Sequence, residues 1–412
     1  MTKQVGGLAV MLAAVVSLAA CGDSQPLSPV PGSGTPSLNV GDVAAADWQP
    51  LPAASAVSAE VQAARDRILG EDATNPAQVK LWWVGVSSFI ASMGGHLFLF
   101  DAWEPVGLQA DYVPIGREEL AAIRPEAIFI GHGHFDHAAD AGYVAGNTGA
   151  ALVAGATVCA TARARAQQLA AQVPFPCLIL GVREAPGPGT VQSIRIWDDL
   201  PPVQEIQHVH SAVDPTDLLT GGLPLVFVPE VLVYLQNLNT DPRETLRFVQ
   251  SLTDDGVLGQ PEGGTWAYQL RVGDFSLLWH DSTGPIGDDE PAGPAVQAAL
   301  AALPDCVDVQ VGAIVGFGML TSGLRDSTAY VDAARPQLSL PSHHDAWAPV
   351  VGGGASAYEL QWRNAIAGLE YPPELDYLRD PEDYLVARAY DIDDPRWKTP
   401  PPGSRCASAP AG

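Results

Sequence analysis

One stretch constrains this chain more than any other: residues 127–137 read AIFIGHGHFDH. A short apolar run stopped by Gly reads as a buried strand with an abrupt end. Directly after that Gly, three His and one Asp fall within six residues, His132-Gly133-His134-Phe135-Asp136-His137. The cluster therefore sits on the loop leaving a strand's carboxyl end, where α/β sheets place their ligands. Alternate residues of an extended loop face one way, so His132 and His134 can share one metal ion. Asp136 and His137, in the next turn, can face a second. Imidazole plus carboxylate suits Zn²⁺, with Fe or Mn as alternatives. A solvated His-rich loop is the plainer reading, but it leaves the later His and Asp residues that end strands unexplained. His208 and His210, His280 beside Asp281, and His343 beside His344 all do so, and only His96 stands apart as an ordinary strand residue.

The rest of the body alternates between strand and helix patterns. Residues 56–69 have apolar positions at helical spacing. Strands are expected at 79–83, 88–91, 96–100, 127–130 and 151–154, with helices at 117–122 and 156–171. Strands follow at 191–197 and 204–209. A hairpin is expected from 265–271 and 275–279 across Val272-Gly273-Asp274. A helix at 295–303, strands at 307–311 and 337–340, and a helix at 357–367 complete the pattern. Residues 211–262 read as an insertion with a helix near 244–252. From residue 372 the chain is Pro- and Asp-rich and reads as a tail. This alternation points to an α/β layered sandwich.

Composition narrows the partners. With 47% hydrophobic and 17% charged residues, the 412-residue chain can bury a core and is not mostly disordered. Its net charge of −26 repels phosphate at long range, which argues against nucleic acid as a partner. After the first two dozen residues no apolar run reaches about 18, so the body is not expected to span a membrane.

The N-terminus reads as an export signal. Lys3 supplies a positive start, Gly6 to Ala20 is apolar and small, and Leu18-Ala19-Ala20-Cys21 closes it. That tetrapeptide resembles the lipobox of bacterial lipoproteins, which implies a signal peptide over 1–20 and a lipidated, palmitate-bearing Cys21. Residues 21–55 then form a linker, with Ser, Pro and Gly dense over 25–36. Gly22 after Cys21 points, by the usual sorting pattern of such lipoproteins, to the outer rather than the inner membrane, with the domain periplasmic or at the cell surface. In an oxidising compartment the other cysteines, Cys159, Cys177, Cys306 and Cys406, are disulfide candidates. Cys159–Cys177 is the local choice, worth about 3 kcal/mol for a loop of that size, and leaves Cys306–Cys406. Free buried thiols are the alternative. None is a zinc ligand by pattern, since no CxxC occurs.

HGHFDH resembles the HxHxDH signature of the metallo-β-lactamase-fold hydrolases. Other segments resemble that superfamily in order. WWVGVSSFI with LFLFD resembles its first hairpin, closing at Asp101, which supports the site. HVHSA ends a strand where a third His ligand is expected; SLLWHDSTGP resembles the strand presenting a bridging Asp; LSLPSHHDAW resembles the last strand and its terminal His ligand. The resemblance covers about residues 79–350. It implies a four-layer αββα sandwich over 56–371 and two zinc ions per chain. One site is His132, His134 and His210; the other is Asp136, His137 and His343; Asp281 bridges. His210 is preferred over His208, its main competitor, because it falls at the strand end before Ser211, as in similar members. His343 is preferred over His344 on the P-x-H spacing. The implied activity is metal-dependent hydrolysis, in which hydroxide held by two cations attacks an ester, lactone, amide or phosphoester and Asp136 accepts or relays a proton. The substrate is expected to be a small molecule or lipid-like. Trp83, Trp103, Phe135 and Trp347 are candidates for an apolar pocket wall, though core packing is the commoner role. Two departures matter. Val86 stands where many relatives acting on phosphorylated compounds carry His, and Asp281 stands where true β-lactamases use Cys. A metal-binding surface lipoprotein without turnover and a mononuclear iron redox enzyme are the competing readings, and oligomeric state is left open.

Overall fold

Strands that are apolar on both faces need cover on both faces. The segment His96–Phe100 (HLFLF) shows how this chain meets that demand. The computed structural model describes residues 41–104, 113–171, 173–181, 187–212, 262–316, 318–345 and 354–399. The first sheet contains β1 (Asp42–Ala44), β2 (Gln78–Trp83), β3 (Phe89–Met93), β4 (His96–Phe100), β5 (Ala127–Phe129), β6 (Ala151–Gly155) and β7 (Cys177–Leu180). The second contains β8 (Val191–Ile194), β9 (Val203–His208), β10 (Thr265–Val272), β11 (Phe275–His280), β12 (Val309–Ala313), β13 (Leu338–Ser342) and β14 (Glu374–Leu375). β15 (Arg388–Asp391) returns to the first. Strand orders are β1-β7-β6-β5-β4-β3-β2-β15 and β14-β13-β12-β11-β10-β9-β8.

Side-chain parity sorts each strand between two cores. Phe98 and Phe100 point at the second sheet, where Phe100 stacks on Trp279 with ring centroids 4.8 Å apart and Phe129 meets Tyr268 at 5.2 Å. Leu97 and Leu99 point the other way, to an outer layer of helices: α1 (Ala59–Leu69), α2 (Arg117–Ala122), α3 (Phe135–Ala138), α4 (Ala141–Thr148) and α5 (Ala156–Gln168). On the far side of the second sheet, α6 (Gly293–Ala301), α8 (Arg325–Ala334) and α9 (Ala355–Ala367), with the short α7 (Met319–Ser322) before α8, cover Ile206, Leu278 and Ile314. The result is an αββα sandwich, as the sequence resemblance implies.

Differences from the sequence reading fall where elements are short or weakly patterned. Within the stretch read as linker, Asp42–Ala44 pairs in parallel with β7, and Asp42 pairs with Arg163. The Pro-rich tail is likewise part of the fold: β14 extends the second sheet beside β13, and β15 runs antiparallel to β2. Strands of two to four residues carry no measurable period. α4, sequence AGYVAGNT, escapes a propensity reading because two Gly interrupt it, and burial of Val144 and Ala145 holds it. α8 is a further helix that the sequence reading leaves unassigned, although its apolar residues Tyr330, Val331 and Ala333 fall on one buried side. The hairpin turn is tighter than expected, with Val272 paired to Phe275 and Gly273 at φ 56°. Most of 211–262, with the helix expected near 244–252, lies outside the described residues, as do residues 1–40. Cys159 on α5 and Cys177 on β7 form a disulfide with Cα atoms 6.1 Å apart. Cys306 is also disulfide-bonded, while Cys21 and Cys406 lie outside the described residues. Among the described residues no helix is long and apolar enough to cross a membrane.

His96 is more than an ordinary strand residue. It is fully buried, with Nδ1 2.6 Å from Glu126 and Nε2 2.8 Å from Asp199. Burial pushes its pKa down, and the two carboxylates more than reverse this, leaving it raised. A raised folded-state pKa stabilises the fold fully below the unfolded value of about 6.5. That contribution is lost as pH rises through the folded value. His96→Asn should therefore lower Tm more at pH 6 than at pH 9, a difference that thermal melts at the two pH values read directly.

Candidate metal centre

Parallel strands deliver their carboxyl ends to one edge of each sheet, and the two edges meet. β2, β4, β5, β9, β11 and β13 all end there. Asp101 follows β4 and Asp281 follows β11; His343 follows β13; His210 lies two residues past β9. His132 lies just beyond β5, His134 caps α3, and Asp136 and His137 occupy its first turn. The structure thus gathers all seven expected ligands, although Asp281 is 149 residues from His132.

Two clusters form, with Asp281 between them. In the first, His132 Nε2 lies 3.0 Å from His134 Nδ1 and 3.1 Å from His210 Nε2. In the second, Asp136 Oδ2 lies 3.4 Å from both His137 Nε2 and His343 Nε2, and those nitrogens are 3.3 Å apart. Asp281 Oδ2 is 2.7 Å from His132 Nδ1 and 3.4 Å from His137 Nδ1. Asp101 Oδ2 receives Ser87 Oγ at 2.7 Å and His137 Nδ1 at 2.8 Å. An Nδ1–H given to Asp101 leaves Nε2 of His137 as the bare nitrogen that faces Asp136 and His343.

This donor set fits cations. Contacts of 3.3–3.4 Å in the second cluster exceed ordinary hydrogen-bond lengths. They match the edge of a coordination tetrahedron, about 3.3 Å for bonds of about 2.0–2.1 Å. In the first cluster a single ring nitrogen of His132 faces two others, which one proton cannot bridge at once. Asp281 Oδ1 is buried and accepts no hydrogen bond among the described residues, so an acceptor is left open on the carboxylate that groups with His132 and His137.

The electrostatics differ between the clusters: the first offers neutral imidazoles, and in the second three carboxylates favour the protonated form of His137. Burial, with neighbouring imidazoles adding to it, holds His132 and His210 well below the usual histidine range; burial also lowers His134. These three are neutral, with a lone pair to offer. Burial pushes the Asp136 carboxyl up, but His137 and His343 overcome it and hold it well below the usual range. Burial likewise opposes the charge on His137, and Asp136, Asp101 and Asp281 outweigh it. Asp101 is pushed up to about 7 by burial and by Asp281, against the pull of His137 and Ser87.

The alternatives settle by geometry. His208 points to the helix side, with Nδ1 2.9 Å from Tyr330 Oη, and His280 engages Gln310 and the Ser282 carbonyl. His344 Nε2 donates to the Leu378 carbonyl at 2.8 Å, and its ring stacks on Trp83. None of the three joins the clusters. Trp83 is core, fully buried; Trp103 and Phe135 do pack beside the centre with Val86, ring centroids 5.7 Å apart. Trp347 lies outside the described residues.

Ser87 and Tyr384 carry no signal in the sequence, and Asp345 reads there only as a pocket or packing residue. Ser87 ties Asp101 and His137 together, and a lone Ser in a turn gives nothing away. Asp345 and Tyr384 brace the centre from behind. Gly131 reads from the sequence only as a strand stop, yet a Cβ there would lie 2.0 Å from Asp281 Cγ. Val86, Asp101 and His343 all hold left-handed backbone angles, at φ 53°, 54° and 61°. Such angles cost of order 1–3 kcal/mol each and cluster where function over-determines geometry.

Residues 81–222 match the sequence profile of the Metallo-beta-lactamase superfamily. A curated relative, a UPF0173 metal-dependent hydrolase of Pyrobaculum neutrophilum, is 33% identical over 75 residues, 18% of this chain. The match spans only 32% of that relative's length. Among solved structures, Igni18, a metallo hydrolase of Ignicoccus hospitalis, aligns over 76% of this chain and 98% of its own. Its identity is 13% and its TM-score 0.45. YhfI of Bacillus subtilis, a metallo-beta-lactamase fold protein, aligns over 76% and 100% at 10% identity and TM-score 0.41. CmlA, a diiron β-hydroxylase of Streptomyces venezuelae, aligns over 77% and 54% at 13% and 0.41.

The clearance at residue 131 sets a direct test. Gly131→Ala should displace the Asp281 carboxylate and reduce tightly bound metal by about one equivalent per chain. Metal analysis of the dialysed variant measures it, and unchanged metal content would refute the bridging position of Asp281.

Proposed function

We propose that the chain is a dinuclear metal-dependent hydrolase, with zinc as the resident metal. The observation that carries this reading is the second cluster: one carboxylate oxygen and two imidazole nitrogens form a near-equilateral triangle of 3.3–3.4 Å edges. A complete first cluster accompanies it, and Asp281, with one buried oxygen open, contacts a histidine of each. His132, His134 and His210 would hold one ion; Asp136, His137 and His343 the other; Asp281 would touch both. When bound, two such cations supply Lewis acidity, lowering the pKa of a shared water and polarising the bond under attack.

The chain's own groups do the rest. Asp101 and Ser87 keep the His137 ring in one tautomer and orientation. Asp136 stays ionised at neutral pH; with Oδ2 turned to the cation, its other oxygen, Oδ1, would accept or relay a proton. The half-buried Phe135, edge-on to Trp103 and next to Val86, gives the centre an apolar flank. That flank favours an ester, lactone or amide with an apolar or lipid-like part. Val86 in place of a polar side chain, and a strongly acidic chain, both weigh against phosphate-rich substrates and nucleic acid. The same reading makes the protein an exported lipoprotein held to a membrane through Cys21, with the lipobox-like segment as its support.

The decisive measurement combines metal and turnover. His134→Ala should bind about one cation fewer per chain and lose hydrolysis across a panel of lactones, esters, phosphodiesters and β-lactams. Full activity with unchanged metal content in that variant would contradict the centre.

A further inference from the structure

The turn between β2 and β3 touches the second cluster at two points. Ser87 Oγ reaches Asp101 and His137, and the Val86 carbonyl accepts the His343 backbone N–H at 2.8 Å. Val86 is a β-branched residue at φ 53°, which it would not hold unaided. What holds it is a bracket of buried polar contacts. Its N–H points between both oxygens of Asp345, at 3.0 and 3.1 Å, and its carbonyl also accepts Trp83 Nε1–H at 2.9 Å. Asp345, wholly buried, also accepts Tyr384 Oη–H at 2.5 Å. Tyr384 belongs to the C-terminal segment. That segment grips the same corner twice more: Leu385 N–H donates to the Trp83 carbonyl at 2.9 Å, and the Leu378 carbonyl takes His344. Asp345 and His343 are two residues apart, so one short loop presents both the ligand and the anchor of the turn that fixes it.

We infer that Asp345 and Tyr384 are positioning residues for the second cation alone, acting through the Val86 turn on His343 and His137. The inference rests on the metal-centre reading and extends it. The asymmetry follows from the bonding. The loop that carries His132 and His134 is held mainly by the second sheet: Tyr268 Oη donates to the Ile130 carbonyl at 2.7 Å and Trp266 N–H to the Gly131 carbonyl at 2.8 Å, with one further bond from Gly131 N–H to Asp101 Oδ1 at 3.1 Å. Nothing in that support passes through Asp345. Loosening the bracket therefore widens the Asp136–His137–His343 triangle and leaves the His132–His134–His210 cluster in place. The C-terminal segment thereby becomes part of the site's construction.

The test is a stepwise Zn²⁺ titration of the full chain against a competing chelator, on wild type, Tyr384→Phe, Asp345→Asn and the double variant. Co²⁺ loading gives a second readout, since visible absorption reports the coordination of each ion. Tyr384→Phe keeps the ring and its packing on Trp83 and removes one hydrogen bond. The expected result is a 10–100-fold weaker Kd for one of the two ions, the usual range for a lost supporting contact. The other Kd stays within twofold, Tm of the metal-free form moves by only a few degrees, and the double variant is no worse than the worse single one. The absorption band of the affected ion alone should change. Equal weakening of both ions, or a lower Tm with both affinities intact, overturns the inference and leaves the dinuclear centre standing. If Asp345→Asn fails to fold, Tyr384→Phe decides alone. Wild type that binds no Zn²⁺ overturns the centre and the inference with it.

Discussion

Five imidazoles and three carboxyl groups share one buried corner, and that crowding governs the rest of the structure. Ring nitrogens that face each other at 3.0–3.3 Å repel unless something positive lies between them. Burial adds to the difficulty, because it strips water from groups that prefer it. The arrangement is tolerable only on a stiff frame. Two sheets packed through Phe100, Phe129, Tyr268 and Trp279 supply that frame; most of the crowded side chains stand at or just beyond a strand end, and Asp136 and His137 stand on the short α3. Left-handed backbone at Asp101, Val86 and His343 shows where the frame bends to bring the donors in.

Much of this corner is legible in the chain because its donors are rare residue types at strand ends. Nine histidines in 412 residues leave few ways to build such a corner, and the spacing of His132, His134, Asp136 and His137 carries most of the information. Strand parity does not separate His210 from His208; the preference for His210 rests on its place at the strand end before Ser211, and in the structure His208, the last residue of β9, meets Tyr330. The supports are not legible. Ser87, Asp345 and Tyr384 act through hydrogen bonds that include partners 39 and 259 positions apart, and ordinary polar residues carry no mark of such partners. The role of Gly131 is also invisible without knowing that Asp281 lies against it.

Fold boundaries escape the sequence for a related reason. Periodicity needs length, and β1, β14 and β15 are too short to show it. α4 is held by packing rather than by intrinsic preference. The long alternating elements, by contrast, lie close to their expected places, because each must keep one side against the opposite sheet and one against helices. His96 is the exception inside such an element: a strand pattern treats it as filler, while Glu126 and Asp199 make it a buried ionic clasp.

The last strand has a further consequence. β2 would otherwise border the first sheet with a free row of backbone donors and acceptors, and such a border invites pairing with a second chain. β15 occupies it, and the border that replaces it is four residues long with a charged residue at either end, Arg388 and Asp391. Proteolytic clipping ahead of Arg388 would uncover the backbone row of Gln78, Val79, Lys80 and Leu81. The clipped protein would then be a seed for self-association.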